Sequence, residues 1–523
     1  MQRIPLIAWL QILTCLSLGF FICWALIRII LKQVEKGVGG SRKKDFHHTH
    51  KAAIPRLGGV ALVSAFVAVT LAICFCTPIS LAGIGVLAVI VGSSLAMFGL
   101  GLYDDLRGLG AKWKLMFQIA IASAAYLGNI RIELLKNPFT EGDIHLGIVG
   151  YFATVLWLVG LTNLINLIDG IDGLAAGIGL MLMLLMTNLG VAENLGVSAL
   201  LSIGMAGALL GFLKFNYPPA RIYMGDGGAY FLGFIIGILS IVNANKGTIV
   251  AALIAPAFAL ALPIVDVSLA ILRRGLRGLP IFRPDQRHIH HRLLTLGISR
   301  ERTLLNLYTV SLLCLALAVC VFCVQGRLLP LYIGLLLLVL VVAGHLSGFT
   351  KEWSGIGSQL GKLLRLRKET RYALTLDQWF VMAAERHESM QTLREDYWFV
   401  VKKLGFSKVS LSLPDGSAYA WQSEEFDPRK ADYYGAVHEI SDGTAIEFAA
   451  DKKLMSEDVF VLLGDLASES WYKAASRCRN GTKPVGEAAG KFANARGVGK
   501  TAKLNDSLVM TDPATTGEFL RQK

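Results

Sequence analysis

Apolar residues come in runs of about twenty, parted by short polar stretches, from the first residues to position 347. The runs cover residues 6–31, 57–76, 80–101, 113–130, 148–166, 174–191, 196–213, 228–242, 248–272, 303–324 and 329–347. A helix of about 20 residues crosses a hydrocarbon core of about 30 Å. The pattern therefore predicts an all-α polytopic membrane protein with about eleven transmembrane helices. The first run is too long and too lightly flanked for a cleaved signal peptide, so a retained helix is expected there.

Beyond residue 348 the pattern changes. Residues 349–375 read as a linker, and an amphipathic helix is expected from Leu376 to Leu404. Alternating stretches at Lys408–Leu413 and Ser417–Gln422 flank the turn Pro414-Asp415-Gly416. A second pair, Gly435–Ile440 and Thr444–Ala449, flanks Ser441-Asp442-Gly443, and a last helix is expected at Ser456–Ala474. Together these predict a small cytoplasmic α+β domain over residues 376–475, after a membrane domain over 1–348. Residues 476–523, rich in Gly, Ala, Lys and Thr without periodicity, read as a disordered tail.

Composition agrees with the membrane reading: 54% of residues are hydrophobic and only 17% charged. The net charge of +13 would raise nucleic acid in a soluble chain, but here the cations sit in loops between spans. Topology, anionic headgroups and a phosphate-bearing substrate explain them better, and no nucleic-acid partner is expected. With the N-terminus outside, the inner loops carry 20 Lys or Arg against 5 on the opposite ends. That bias places the C-terminus inside. The eight cysteines have no metal or disulfide spacing and read as small apolar residues.

Four polar constellations fall on the side those cations mark as inner. Asp104-Asp105 ends the third run, where ionised acids are costly and tend to be functional unless they merely stop the span. Adjacent acids want a cation, and Lys112 and Lys114 follow. Asn163-x-x-Asn166-x-x-Asp169-Gly170-x-Asp172-Gly173 keeps its first three polar residues on about a third of a helix circumference. Amides and acids without internal cations suit a nucleotide sugar or a metal, against a capped turn as the bland alternative. Asn216-Tyr217-Pro218-Pro219-Ala220-Arg221-Ile222-Tyr223-Met224-Gly225-Asp226 places Asp226 at the start of the eighth run. There Tyr223 offers a flat face to a base, and hard oxygens on several helices suit Mg²⁺ beside phosphates. Arg283-Pro284-Asp285-Gln286-Arg287-His288-Ile289-His290-His291-Arg292 is rich in donors for phosphate. A zinc site is the competing reading of that loop, and its arginines weigh against it. A smaller basic stretch, His47 to Lys51, precedes Pro55-Arg56-Leu57-Gly58-Gly59.

At these residues, over positions 1–348, the chain resembles the polyprenyl-phosphate N-acetylhexosamine-1-phosphate transferases, the superfamily of WecA, TagO and MraY. The His288-Ile289-His290-His291 form resembles the WecA/TagO branch. The tail of about 175 residues is longer than that family's core requires. The resemblance implies transfer of N-acetylhexosamine 1-phosphate, GlcNAc 1-phosphate first, from a UDP-sugar to undecaprenyl phosphate. The products would be undecaprenyl-diphosphate-sugar and UMP, the initiating step of a cell-surface glycan at the cytoplasmic face of a bacterial inner membrane. It implies Mg²⁺, with Mn²⁺ as substitute, held by Asp226 and Asp105. Asp104, Asp105, Asp226 and His290 would be catalytic. Asn163, Asn166, Asp169, Asp172 and Asn216 would hold the nucleotide and metal region, and Tyr223 the uracil. Lys51 and Lys112 would lie near the phosphates, with Arg287, His288, His291 and Arg292 over the diphosphate and sugar. Family analogy suggests a homodimer, and the extra domain suggests docking of later glycosyltransferases. GalNAc, a deoxy sugar or MurNAc-pentapeptide on the same UDP carrier are the alternatives. A transporter would instead place its polar residues near the bilayer midplane in repeated broken helices. A sensor signalling through the tail would not need four dense polar loops.

Overall fold

The computed structural model describes residues 6–36, 54–136, 143–192, 194, 196–244, 256–277, 299–323, 328–346, 356–386, 389–414, 416–424, 426–427, 432–440 and 443–479. Their helices begin with α1 (Leu6–Glu35), α2 (Gly58–Cys76), α3 (Leu81–Arg107), α4 (Ala111–Leu127), α5 (Ile148–Ile168) and α6 (Leu174–Ala192). There follow α7 (Gly196–Asn216), α8 (Gly225–Ala244), α9 (Ala261–Arg277), α10 (Arg300–Cys323) and α11 (Leu329–Leu346). Eight of them, α1–α3, α5–α8 and α10, are long and apolar enough to cross a membrane. Ten of the eleven apolar runs coincide with described helices, whereas in the ninth, 248–272, residues 248–255 lie outside the described residues and the described helix runs Ala261–Arg277. Between α4 and α5 a short antiparallel strand pair, β1 (Leu134–Lys136) with β2 (Asp143–His145), has no counterpart in the apolar pattern.

The apolar core of this unit is built around α7 and α8, whose residues are almost wholly buried. Small residues bring the backbones together, as membrane helices without a hydrophobic drive between them require. α1 lies against α7 so closely that a Cβ on Gly211 would stand 2.7 Å from the Phe20 carbonyl oxygen. Side-chain hydrogen bonds add to this: Trp157 Nε1 donates to Ser240 Oγ at 2.9 Å, and Ser198 Oγ donates to Asn243 Oδ1 at 2.8 Å.

The chain divides into two compact units, the main boundary between them falling at Ile356–Gly357. The second contains α12 (Ile356–Ala384), α13 (Met390–Lys403), α14 (Glu457–Arg479) and strands β3 (Lys408–Ser412), β4 (Ala418–Gln422), β5 (Tyr433–Glu439) and β6 (Ala445–Asp451). The strands form one antiparallel sheet in the order β4-β3-β6-β5. Helix thus occupies most of the segment read as a linker, since α12 starts some twenty residues before Leu376. The single helix expected to Leu404 is two, because Ser389 Oγ accepts the Thr392 N–H and starts a new helix there. This unit has its own core, in which Phe380, Tyr397 and Trp471 stack between the helices and Phe448 lies under the sheet. Positions 476–479 close α14. The rest of the expected tail lies outside the described residues.

His438, on β5, is buried, and burial lowers its pKa from 6.5 to about 4. A depressed histidine pKa means that the unfolded chain binds the proton more tightly. Stability of this unit is therefore full above pH 6.5 and is lost as pH falls towards 4. The loss amounts to up to about 3 kcal/mol. Hydrogen exchange of β5 and β6 amides should report the slope, and His438→Gln should remove it.

Candidate active site

Segments far apart in sequence are laced together where α2, α3 and α8 meet. Tyr223 N–H donates to the Pro55 carbonyl, and the Gly58 and Gly59 N–H groups donate to the Tyr223 and Met224 carbonyls, each at 2.9 Å. α2 thus begins on the loop that leads into α8. Close approach fixes the rest. A Cβ on Gly59 would lie 2.6 Å from Gly228 Cα, and one on Gly101 would lie 2.5 Å from the Asp226 carbonyl oxygen. Gly225, at φ +75°, turns the chain into α8 in a conformation that L side chains rarely adopt.

The acids hang on this frame. Asp105 Oδ2 accepts the Gly227 N–H at 3.0 Å and also bonds the Asp226 N–H, so a carboxylate from α3 caps the first turn of α8. Asp104, 5% exposed, accepts the Leu109 N–H through Oδ1 at 2.7 Å and pairs with Lys114 through Oδ2. The Asp226 carboxyl and the Tyr230 hydroxyl both lie within hydrogen-bond reach of Asp104. Asp169 caps the C-terminus of α5 in the field of Asp226, Asp105 and Asp172, with Arg56 opposing them. The residue keeps part of its surface open but its carboxyl is enclosed. Burial first, then Asp226 and Asp105, push its pKa well above the usual carboxylate range. Tyr223, half-buried, is pushed up to about 12 by burial and then by Asp172, with Arg300 and Arg56 opposing.

Such a cluster of anions wants a cation. Among the described residues no three His, Cys, Asp or Glu side chains surround one point as a closed metal site would. The arrangement is an open one. Mg²⁺ is usually held by one or two carboxylates, with waters and substrate phosphates completing the shell. The hard oxygens of Asp226 and Asp105 fit that habit.

Two of the amides, Asn216 and Asn163, bond within the protein. Asn216, 3% exposed, accepts the Gly173 N–H through Oδ1 at 2.9 Å and donates to the Ile222 carbonyl at 2.9 Å. Asp172 Oδ2 accepts the Ala220 N–H at 3.1 Å. These two side chains tie the α5–α6 turn to the loop carrying Tyr223. Asn163 Nδ2 donates to Gln118 Oε1 at 2.7 Å, joining α5 to α4. Asn166 is half-buried on α5. Lys112 is exposed, and it is Lys114 that reaches the acid pair. Lys51, Arg287, His288, His290, His291 and Arg292 lie outside the described residues.

Four participants carry no site assignment in the sequence analysis: Lys114, Gln118, Arg56 and Tyr308. Lys114 and Gln118 stand four apart, and with the buried Ala122 they form one stripe of α4. That spacing was the available signal. Arg56, whose charge acts on Asp105, Asp169 and Tyr223, carried no signal beyond standing before Leu57-Gly58-Gly59. Tyr308, which donates to the Gly173 carbonyl at 2.6 Å, carried none. Lys114→Met should leave Asp104 buried without its cation, at a cost of about 3–5 kcal/mol. Thermal unfolding of the purified protein should show that loss, whereas Lys112→Met should unfold as the parent does.

The family model described as glycosyl transferase family 4 matches residues 87–244. The chain is 32% identical over 327 residues to the probable undecaprenyl-phosphate N-acetylglucosaminyl 1-phosphate transferase of Bacillus subtilis (strain 168), covering 62% of this chain and 90% of that protein. It is 34% identical over 300 residues to the decaprenyl-phosphate N-acetylglucosaminephosphotransferase of Mycobacterium tuberculosis (strain H37Rv), covering 51% and 71%. With the phospho-N-acetylmuramoyl-pentapeptide-transferase of Listeria innocua it shares 31% identity over 290 residues, covering 52% and 86%.

Proposed function

The chain belongs to glycosyl transferase family 4, and on that footing we propose that it moves GlcNAc 1-phosphate from UDP-GlcNAc to undecaprenyl phosphate. An oxygen of the lipid phosphate attacks the β-phosphorus, the bond to the UMP oxygen breaks, and undecaprenyl-diphosphate-GlcNAc and UMP form. The observation that carries this reading is the convergence of Asp104, Asp105, Asp169 and Asp226 with Arg56 and Lys114 where α2, α3 and α8 meet.

Two anionic substrates repel each other, so phosphoryl transfer asks mainly for positioning and charge neutralisation. Tyr223 stacks the uracil, with Arg300 and Arg56 near it. Asp226 and Asp105 would hold Mg²⁺, which supplies neutralisation of the diphosphate as charge moves to the UMP oxygen. Asp104, fixed by Lys114 and the Leu109 N–H, orients the lipid phosphate and accepts its proton where one is present. Arg56 sets a fixed positive charge beside the acids. The reaction face is the cytoplasmic one, in a bacterial inner membrane.

The test is a panel of UDP-sugars with the purified full chain, undecaprenyl phosphate and Mg²⁺. UDP-GlcNAc should give the fastest turnover, with UMP released in step with sugar recovered in extractable lipid. EDTA should stop it and Mn²⁺ should partly restore it. Uptake of UDP-sugar into vesicles without lipid product would overturn the proposal in favour of a transporter. Fastest turnover with UDP-MurNAc-pentapeptide would move the chain to the muramoyl branch. Tyr223→Ala should raise KM for the UDP-sugar about tenfold or more, since stacking on one base contributes about 1–3 kcal/mol. Its kcat should change little.

A further inference from the structure

Among the described residues, the outer face of α12 is exposed along one stripe. Lys368, Tyr372, Thr375, Trp379, Met382 and Arg386 follow one another at alternating steps of four and three, so they form a single stripe, and every one is exposed. Tyr372, Trp379 and Met382 are 46%, 40% and 60% exposed. Phe399 of α13, 45% exposed, extends the patch, with its ring 5.5 Å from that of Trp379 and the Lys403 ammonium 5.7 Å above it. The stripe is apolar and aromatic in the middle, basic at both ends, and without an acid.

We infer that this face lies on the anionic headgroup region of the bilayer that holds the spans. Aromatic rings and a flexible thioether suit the interface, and lysine and arginine beside them reach the lipid phosphates. Two further observations point to lipid. The unit is polarised: residues 356–403 hold nine Lys or Arg against six Asp or Glu, whereas residues 408–479 hold eight against thirteen. Glu439, Glu447 and Asp451 lie on the sheet face turned away from the helices, which an anionic surface repels. Nine residues separate Leu346 from Ile356. Their reach of about 30 Å at full extension keeps the start of α12 near the membrane. Pairing of two copies through the stripe is disfavoured, because Lys368 would meet Lys368 in a parallel pair and Arg386 in an antiparallel one.

The test uses the full chain in nanodiscs, with native cysteines replaced and an environment-sensitive fluorophore placed through Met382→Cys or, on the far sheet face, Val437→Cys. In discs containing anionic lipid, the label at 382 should shift to the blue and be quenched by nitroxide-bearing lipid, and the label at 437 should not. Quenching at 382 should fall about threefold or more in 0.5 M salt, in zwitterionic discs, or with Lys368→Glu and Arg386→Glu together. An unchanged 437 emission checks that the charge-reversed unit is folded. Equal quenching at both positions, or none at 382, would overturn the inference. So would a blue shift confined to discs that contain two copies of the chain, which would assign the stripe to self-association.

Discussion

Asp226→Asn should cut transfer about 10³-fold or more while the protein stays folded in the membrane. The substitution keeps the shape of the side chain and removes its charge. Asp226 occupies the first turn of α8, within hydrogen-bond reach of Asp104, and its backbone N–H is held by Asp105. Neither the loop preceding it nor the cap on α8 depends on the Asp226 carboxylate, so the frame survives. On the proposed function, what is lost is the negative charge that would hold a divalent cation against the diphosphate. KM for the UDP-sugar should move little, because on the proposed function Tyr223 would carry the base. The unfolding midpoint without divalent ion should hold or rise, since one of several crowded negative charges has gone. Rates of UMP release and a thermal melt on the same preparation check both halves. Near-parental turnover would remove Asp226 from the reaction.

The second large effect is expected where no side chain exists. Gly101→Ala should lower kcat about 10²-fold, as a misplacement of about 1 Å at a reacting centre does. A Cβ there would stand 2.5 Å from the Asp226 carbonyl oxygen and 2.6 Å from Gly227 Cα, and neither backbone atom can step aside alone. α3 and α8 must part. Asp105 then loses its hold on the Gly227 N–H, and Asp104 moves away from Asp226. Gly99→Ala is the control, because a Cβ at that position of α3 meets nothing within 4 Å. Equal kcat values for the two variants would mean that the helix contact does not position the acids.

These expectations show where the sequence spoke and where it was silent. Spans were legible because a run of some twenty apolar residues has few other uses. Even α4, 17 residues with Lys112, Lys114 and Gln118 inside it, shows in the sequence as an apolar run, though it is not among the eight helices of span length. The acid-bearing segments were legible because ionised groups at membrane boundaries are costly enough to stand out. What could not be read was which partner each side chain would take. Asn216 and a ligand-binding asparagine look alike in sequence, yet Asn216 spends both ends of its amide on backbone groups of two loops. Lys112 and Lys114 are two residues apart, and only the turn through Gly108-Leu109-Gly110 decides which one faces α3. Arg56 meets Asp169 across more than a hundred residues, a distance that no local pattern encodes. In the C-terminal unit residues 349–375 read as a linker, but Ile356–Ala384 is helix, with Ala373 and Phe380 in the core of the unit.

On the proposed function, segments from three separate parts of the chain face one another on the same side of the membrane. Single cysteines at Lys112, Gly170 and Arg221, all exposed, can be probed with a membrane-impermeant thiol reagent in sealed vesicles of both orientations. All three should react in inverted vesicles and stay protected in right-side-out ones. Labelling of any one of them from the opposite face would contradict the account.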